Sequence, residues 1–200
     1  FGMTKPYLHY LSQFGQVEIL TPRKDIVEGD ILILGGGPDT NPANYGEVPS
    51  FYTGDACVMR EYFFRNNLKQ YIDAKVPVFG ICLGAQEINI HFGGTLTQHW
   101  EFGYSNPRYK LEESLVFTEA FEEDSLQYLE EDFFKSYLVK PKDGNAYINY
   151  GINTLHHQGI FDSELSPELE ALAYSSVCGN IEMLKHKTLP IYGVQYHPEY

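Results

Sequence analysis

The sequence predicts a single α/β domain over residues 1–200, with a mostly parallel central sheet flanked by helices. Its 200 residues are 43% hydrophobic and 15% aromatic, enough for one well-formed core. Residues 31–34 are all apolar, as expected for a strand buried on both faces of a parallel sheet. Strand-like and helix-like patterns then alternate through the first half, an order typical of parallel α/β folds. We expect the chain to enter at the tail of its first strand.

The elements of the first half follow from apolar spacing and glycine turns. Residues 5–15 have helical spacing, and residues 17–20 predict a strand. A helical pattern over residues 59–74 leads into a predicted strand at 76–81. The next predicted helix, residues 85–92, ends at two glycines. The first half of the chain therefore predicts alternating helices and strands, with the strands forming the parallel part of the sheet.

The second half is richer in strand-like segments. Candidate strands lie at residues 109–111, 115–117, 171–176, 181–184 and 191–195. Residues 112–132 carry nine acidic side chains and no basic one. Because apolar side chains are interspersed among them, we favour a solvated helical face over a dedicated cation site.

Composition excludes several function classes. With 14 basic and 27 acidic residues the net charge is −13, which disfavours binding to a phosphate backbone. No apolar run approaches the ~20 residues of a membrane-spanning helix, and no signal peptide is evident. Three cysteines in unrelated contexts indicate neither a disulfide scaffold nor a metal site. We expect a cytoplasmic protein with reduced thiols, no metal and no cofactor.

Cys82 is the candidate nucleophile. It follows an apolar strand, precedes a predicted helix and has Gly80 and Gly84 two residues to either side. This pattern predicts a nucleophile elbow, in which small neighbours permit a tight turn. The positive end of the helix dipole would favour the thiolate. The alternative is a buried structural cysteine, which is our interpretation of Cys57 and Cys178.

A thiolate nucleophile needs a base, and the base needs an orienting acceptor. His197 and Glu199 follow the last predicted strand, with a proline between them that stiffens the loop. Alone, this pair would more often be a surface loop. Combined with the elbow, it predicts a Cys-His-Glu arrangement.

Acyl transfer also needs donors for a developing oxyanion. The backbone N–H of Leu83 is one candidate, and the glycine run at residues 35–37 offers another. The alternative for the glycines is an ordinary loop or a phosphate-binding turn. Neither common nucleotide-binding glycine pattern is present, so nucleotide binding is disfavoured.

These motifs together resemble the class I glutamine amidotransferase superfamily. Two further segments are similar to its γ-glutamyl hydrolase-like branch, which includes the γ-glutamyl-γ-aminobutyrate hydrolases. The resemblance spans residues 2–199, and its motifs occur in the expected order. The segments that carry it are residues 80–86, Gly93-Gly94, His197-Pro198-Glu199, residues 35–42 with Tyr45-Gly46-Glu47, and residues 153–158.

The resemblance implies a flavodoxin-like domain in which Cys82 is the nucleophile, His197 the base and Glu199 its orienting partner. It places the oxyanion hole at the amides of Leu83 and Gly36.

Two further residues are implied to bind substrate. Gln86 matches a position that helps to hold the glutamyl moiety, and His157 is favoured over its neighbour His156 for the same pocket.

The resemblance implies a thiol-dependent glutaminase that forms a γ-glutamyl thioester and supplies ammonia to a synthetase partner. Leu83 favours this function, because γ-glutamyl-γ-aminobutyrate hydrolases carry Arg after the cysteine. Residues 38–47 and 153–158 favour the alternative, a γ-glutamyl peptidase acting on a conjugate such as γ-glutamyl-γ-aminobutyrate. A catalytically silent binding module is the non-enzyme alternative, and the intact Cys82, His197 and Glu199 argue against it.

Overall fold

The computed structural model describes residues 5–20, 25–100, 113–117, 151–153, 155–175 and 178–200. Within these residues the helices are α1 (Lys5–Leu11), α2 (Val58–Asn66), α3 (Leu68–Asp73) and α4 (Leu83–His91), with a short 3₁₀ helix at Pro42–Tyr45. The strands are β1 (Leu32–Leu34), β2 (Val78–Ile81), β3 (Glu113–Phe117), β4 (Gly151–Ile152), β5 (Leu169–Ser175), β6 (Ile181–His186) and β7 (Ile191–Val194).

The strands form one sheet in the order β1-β2-β7-β6-β5-β3-β4. Strands β1, β2 and β7 pair in parallel, and the pairings from β7 outward to β4 are antiparallel. The predicted α/β class is confirmed, and the parallel pairing lies where the sequence predicts the site. Because parallel strands end at the same edge, the residues after Leu34, Ile81 and Val194 come together.

The core has two parts, one on each face of the sheet. Side chains alternate between the faces along each strand, so Phe79 and Ile81 join a cluster with Tyr7 of α1. Val78 and Ile191 join the other cluster, which includes α3 and α4. The central strand β2 is buried along its whole length. Helices therefore cover both faces of the site-bearing strands.

Two predicted elements differ from the structure. Residues 17–20 form no strand, and Val17, Glu18 and Leu20 line a cavity of about 480 Å³ together with residues 28–33. The helix predicted over residues 59–74 is divided at Asn67, whose φ of −120° departs from helical geometry. The Asn67 side chain makes no capping hydrogen bond at this break, and its backbone N–H still donates to Phe63 O at 2.8 Å.

Some predictions lie outside the described residues. These are the strand at 109–111 and, apart from the backbone of β3, the acidic segment 112–132. Among the helices that are described, none has the length and apolar character needed to cross a membrane.

Candidate active site

Cys82 lies at a sharp turn between β2 and α4. Its φ of 52° and ψ of −107° are unusual for a residue with a side chain, and its backbone N–H donates to Val194 O at 2.7 Å. A Cβ on Gly80 would lie 2.5 Å from the backbone carbon of Gly84, and one on Gly84 would overlap the backbone of Leu34. Only glycine fits at both positions, so the predicted elbow is built by close backbone contacts.

His197 contacts Glu199 and lies within electrostatic reach of Cys82. Its Nδ1 is 2.7 Å from Glu199 Oε1, and Cys82 acts to raise the pKa of its imidazole. The Glu199 side chain is completely buried. Burial acts to lower the pKa of His197, but its interactions with Cys82 and with the Glu199 carboxylate outweigh burial and raise that pKa to about 10. The imidazole is therefore protonated at neutral pH.

Asn153 holds the backbone of His197 on both sides of its Cα. The His197 N–H donates to Asn153 Oδ1 at 2.9 Å, and Asn153 Nδ2 donates to His197 O at 2.7 Å. Sequence analysis gave Asn153 no separate role, although it lies in one of the motifs that carry the resemblance. Its pairing fixes the base in a loop that follows β7.

The Tyr7 hydroxyl accepts a hydrogen bond from the Gly36 N–H, which the resemblance places in the oxyanion hole. The Gly36 N–H donates to the Tyr7 hydroxyl at 2.8 Å, and that hydroxyl lies 3.3 Å from His197 Nδ1. Burial raises the pKa of Tyr7, the Gly36 bond opposes the rise, and the charges of Glu199 and Cys82 add to it. The hydroxyl therefore stays neutral, and it joins the Gly36 N–H to the Nδ1 side of His197.

Leu83 and Gly36 border the same site. Leu83 begins α4, where backbone N–H groups lack intrahelical acceptors. A Cβ on Gly36 would lie 2.7 Å from His197 Cε1, and one on Gly37 would lie 2.8 Å from Leu83 Cδ2. The glycines thus let the loop after β1 approach both the base and the start of α4.

Gln86, predicted to bind substrate, lies in a buried amide chain beside the nucleophile. Its Nε2 donates to Gln158 O and to Gln195 Oε1, both at 3.1 Å. Gln195 Nε2 in turn lies 3.5 Å from Cys82 Sγ. The structure therefore links Gln86 to the thiol through Gln195, a residue that sequence analysis did not single out.

His157, the other predicted substrate ligand, contacts the loop after β1. Its Nε2 lies 3.0 Å from Asp39 Oδ1, and its Nδ1 lies 3.2 Å from His99 Nδ1. His99 is stacked on Tyr52, with ring centroids 3.9 Å apart. These contacts extend from the glycine loop to a partly exposed aromatic ring, and a direct role with substrate stays a prediction.

His156 is the more buried of the two adjacent histidines. Burial lowers its pKa to about 4, with the charges of His197 and His157 acting in the same direction and its bond to Gln158 O opposing them. Its Nε2 lies 4.0 Å from Glu182. This imidazole is neutral at physiological pH and sits in the protein interior.

The predicted site residues fall into two sets, of which Gln86 and His157 form the second and contact other protein groups. Cys82, His197 and Glu199 form one connected group, and Gly36 lies against His197. The adjacent Tyr7 could not be found from a motif, because its only sequence signal was a place on the apolar face of a predicted helix.

Comparison with known proteins identifies the family. The family described as peptidase C26 matches residues 16–199, nearly the whole chain. The chain belongs to the peptidase C26 family. This membership and the relatives of the chain confirm the predicted class I glutamine amidotransferase superfamily.

Two curated relatives of this C26 protein are named for amidotransferase or synthase proteins. A glutamine amidotransferase-like protein of Lactococcus lactis is 30% identical over 177 residues, covering 85% of this chain and 66% of its own. A component of the glutamine-hydrolyzing GMP synthase of Methanococcus aeolicus is 30% identical over 182 residues, covering 90% of this chain and 71% of its own. The chain thus spans slightly less than two thirds of the first of these relatives.

A solved structure supports the fold. A glutamine amidotransferase from Thermotoga maritima has a TM-score of 0.55 and 16% sequence identity, covering 90% of this chain and 60% of its own. At this identity, the likeness concerns the fold alone.

Proposed function

We propose that this C26 protein is a thiol-dependent glutaminase that hydrolyses the side-chain amide of glutamine through a γ-glutamyl thioester on Cys82. One observation carries the proposal: His197 is bonded to Glu199 at 2.7 Å, and Cys82, at the sharp turn before α4, acts on the pKa of the same imidazole. A nucleophile, a base and an orienting acceptor in this order are what acyl transfer by a thiol requires.

In the first half of the proposed reaction, the Cys82 thiolate attacks the amide carbonyl carbon. A C–S bond forms, and the carbonyl π pair moves to oxygen. The amides of Gly36 and Leu83 would receive this oxyanion, and the Gly36 N–H would give up its bond to the Tyr7 hydroxyl to do so. As the oxyanion collapses, the C–N bond breaks and His197 protonates the departing nitrogen, releasing ammonia.

In the second half, His197 takes a proton from water while the water oxygen attacks the thioester carbonyl. The second tetrahedral intermediate collapses with cleavage of the C–S bond, which regenerates the Cys82 thiolate and the protonated imidazole and releases glutamate. Glu199 orients the imidazole through Nδ1 in both halves, so that Nε2 faces the reacting atoms. Asn153 holds the same loop through the His197 backbone.

We further propose that the ammonia passes to a synthetase partner. The relative from Methanococcus aeolicus, named as one component of a glutamine-hydrolyzing synthase, supports this part of the proposal. Glutamine turnover by the isolated chain should then be slow and should increase when a partner closes the site and excludes water.

The second candidate is a γ-glutamyl hydrolase acting on a larger conjugate, which membership of a family named as a peptidase favours. A true peptidase would use binding energy from the distal part of the conjugate to raise its rate. The two candidates therefore differ in substrate preference and share their chemistry at the carbonyl.

The test is to measure kcat/KM of the purified chain for glutamine and for γ-glutamyl-γ-aminobutyrate, following release of glutamate. The proposal expects glutamine to be preferred, and a strong preference for the conjugate would replace it with the second candidate. Cys82→Ala should abolish both activities, whereas Cys57→Ala and Cys178→Ala should retain them. Full turnover by the Cys82 variant would refute both candidates.

A further inference from the structure

Arg60 joins three parts of the structure around the glycine loop. It lies on α2, and its Nε donates to both carboxylate oxygens of Glu87 on α4, at 2.9 and 2.8 Å. Its Nη2 contacts the same carboxylate and also donates to Gly35 O at 3.0 Å. The Glu87 side chain is only 2% exposed and that of Arg60 16%, so solvent screens this ion pair weakly.

The bond to Gly35 O fixes the orientation of one peptide group. Gly35 O and the Gly36 N–H belong to the same planar trans peptide, so they point in opposite directions. Arg60 holds the oxygen on the α2 side, and the N–H consequently points to the Tyr7 hydroxyl at 2.8 Å. Glycine imposes little restraint of its own on such a peptide, because it tolerates backbone angles that other residues avoid.

The alternative orientation would be harmful to acyl transfer. A rotation of this peptide by half a turn would remove the N–H from the catalytic residues and would direct the Gly35 oxygen toward them. A carbonyl dipole there would repel the oxyanion that the proposed reaction creates. It would also leave the Arg60 nitrogen without its carbonyl acceptor, which makes that orientation unfavourable.

Glu87 makes the arrangement rigid. Its carboxylate is bound through two oxygens by the planar guanidinium, which sets the direction of the remaining Nη2 donor. Helix α2 holds the following segment too, since Glu61 accepts hydrogen bonds from the Thr40 hydroxyl and the Asn41 N–H. The loop after β1 is thus attached to α2 at both of its ends.

We propose that Arg60, anchored by Glu87, is a positioning residue that keeps the Gly35–Gly36 peptide oriented with its N–H directed at the developing oxyanion. The inference rests on the proposed function, because it concerns an oxyanion formed by attack of Cys82 on a carbonyl. Arg60 acts through the backbone and makes no contact with the reacting atoms.

The test compares Arg60→Lys with Glu87→Gln. Lysine keeps a positive charge beside Glu87. It lacks the planar guanidinium, whose several N–H groups bind Glu87 and Gly35 O at the same time. Glu87→Gln weakens the ion pair but keeps the guanidinium on Gly35 O. Arg65→Lys is the matched control, since Arg65 lies on the same helix in a more exposed pair with Glu61.

Each variant is assayed for kcat and KM with the preferred γ-glutamyl substrate and for the rate of Cys82 alkylation by iodoacetamide. Removing an oxyanion donor costs at most about 10²- to 10³-fold in kcat, so we expect Arg60→Lys to lose about 10- to 100-fold with little change in KM. Alkylation displaces iodide at a saturated carbon and forms no oxyanion, so its rate should stay unchanged. Glu87→Gln should lose less kcat than Arg60→Lys at a comparable melting temperature, and Arg65→Lys should match wild type.

Different failures have different meanings. If the wild type hydrolyses its substrate and Arg60→Lys keeps full kcat, the positioning inference is wrong and the proposed function stands. If Arg60→Lys slows alkylation as much as turnover, Arg60 supports the nucleophile generally and the inference is again wrong. If the wild type hydrolyses no γ-glutamyl substrate, the proposed function fails and the inference with it.

Discussion

Two groups of residues next to Cys82 are held by different kinds of interaction. The base group, consisting of His197, Glu199 and Asn153, is fixed by side-chain hydrogen bonds of 2.7–2.9 Å and by charge. The donor group, consisting of the Gly36 and Leu83 amides, is fixed by backbone geometry: a glycine loop and a helix start. In the proposed reaction the base group would prepare the thiolate and move protons, whereas the donor group would stabilise the oxyanion that forms when the thiolate attacks.

Because the two groups differ in role, we predict that variants of each group will show different combinations of slowed alkylation and slowed turnover. Damage to the base group should slow both thiol alkylation and turnover, because both need the thiolate that His197 stabilises. Damage to the donor group should slow turnover alone. Variants of either group are therefore assayed for both reactions.

The largest effect is expected for His197→Asn. Asparagine cannot carry the proton that the leaving nitrogen needs, and general acid–base catalysis contributes about 10²- to 10⁴-fold. We expect kcat to fall by about 10³-fold and alkylation by iodoacetamide at neutral pH to slow as well. His9→Asn, on the exposed face of α1, is the control and should match wild type. Unchanged alkylation in His197→Asn would remove the thiolate role from the base group.

Glu199→Gln should have a smaller effect that depends on pH. The amide oxygen can still accept from Nδ1, but the negative charge that helps to raise the pKa of His197 to about 10 is lost. The pKa of His197 should therefore fall, and the loss of kcat/KM at alkaline pH should begin at a lower pH than in wild type. Glu168→Gln is the control. It removes the charge of an exposed carboxylate that lies 3.7 Å from His186, and it should leave the profile unchanged. An alkaline limb that stays in place in Glu199→Gln would contradict the assignment of Glu199.

The smallest effect is expected for Asn153→Ala. It removes two hydrogen bonds to the His197 backbone, each worth about 0.5–1.5 kcal/mol of stability. The free energy of unfolding should fall by about 1–3 kcal/mol, and kcat should fall only several-fold because His197 keeps Glu199. Asn66→Ala, which removes one exposed bond to Tyr62 O on α2, is the comparison in a denaturant titration. Equal losses of stability in the two variants would show that Asn153 does not fix the base.

The sequence predicts the base group from specific motifs, whereas it predicts the donor group only as candidates. The placement of Cys82, His197 and Glu199 at one edge of the sheet was predictable because each lies in a short local motif after a strand, and parallel strands bring such ends together. Gly36 and Leu83 were predictable as candidates through the glycine run and the start of α4.

The residues that hold these groups were not predictable. Tyr7 reaches His197 across 190 positions of sequence, and Arg60 reaches Gly35 O across 25 positions while it is paired with Glu87 on α4. Such pairs depend on tertiary contacts that leave no local pattern. The strand predicted at residues 17–20 failed for a related reason, because β propensity is realised only when a neighbouring strand supplies hydrogen bonds.

The most direct test of the central claim is to identify the atom that carries the acyl group. The wild-type chain is mixed with its preferred γ-glutamyl substrate, quenched in acid within the first turnover, digested and analysed by mass spectrometry. We predict a γ-glutamyl group on the peptide that contains Cys82, released by hydroxylamine as expected for a thioester, and absent from Cys82→Ala. Rapid hydrolysis with the acyl group on another residue, or equal turnover by Cys82→Ala, would contradict the account.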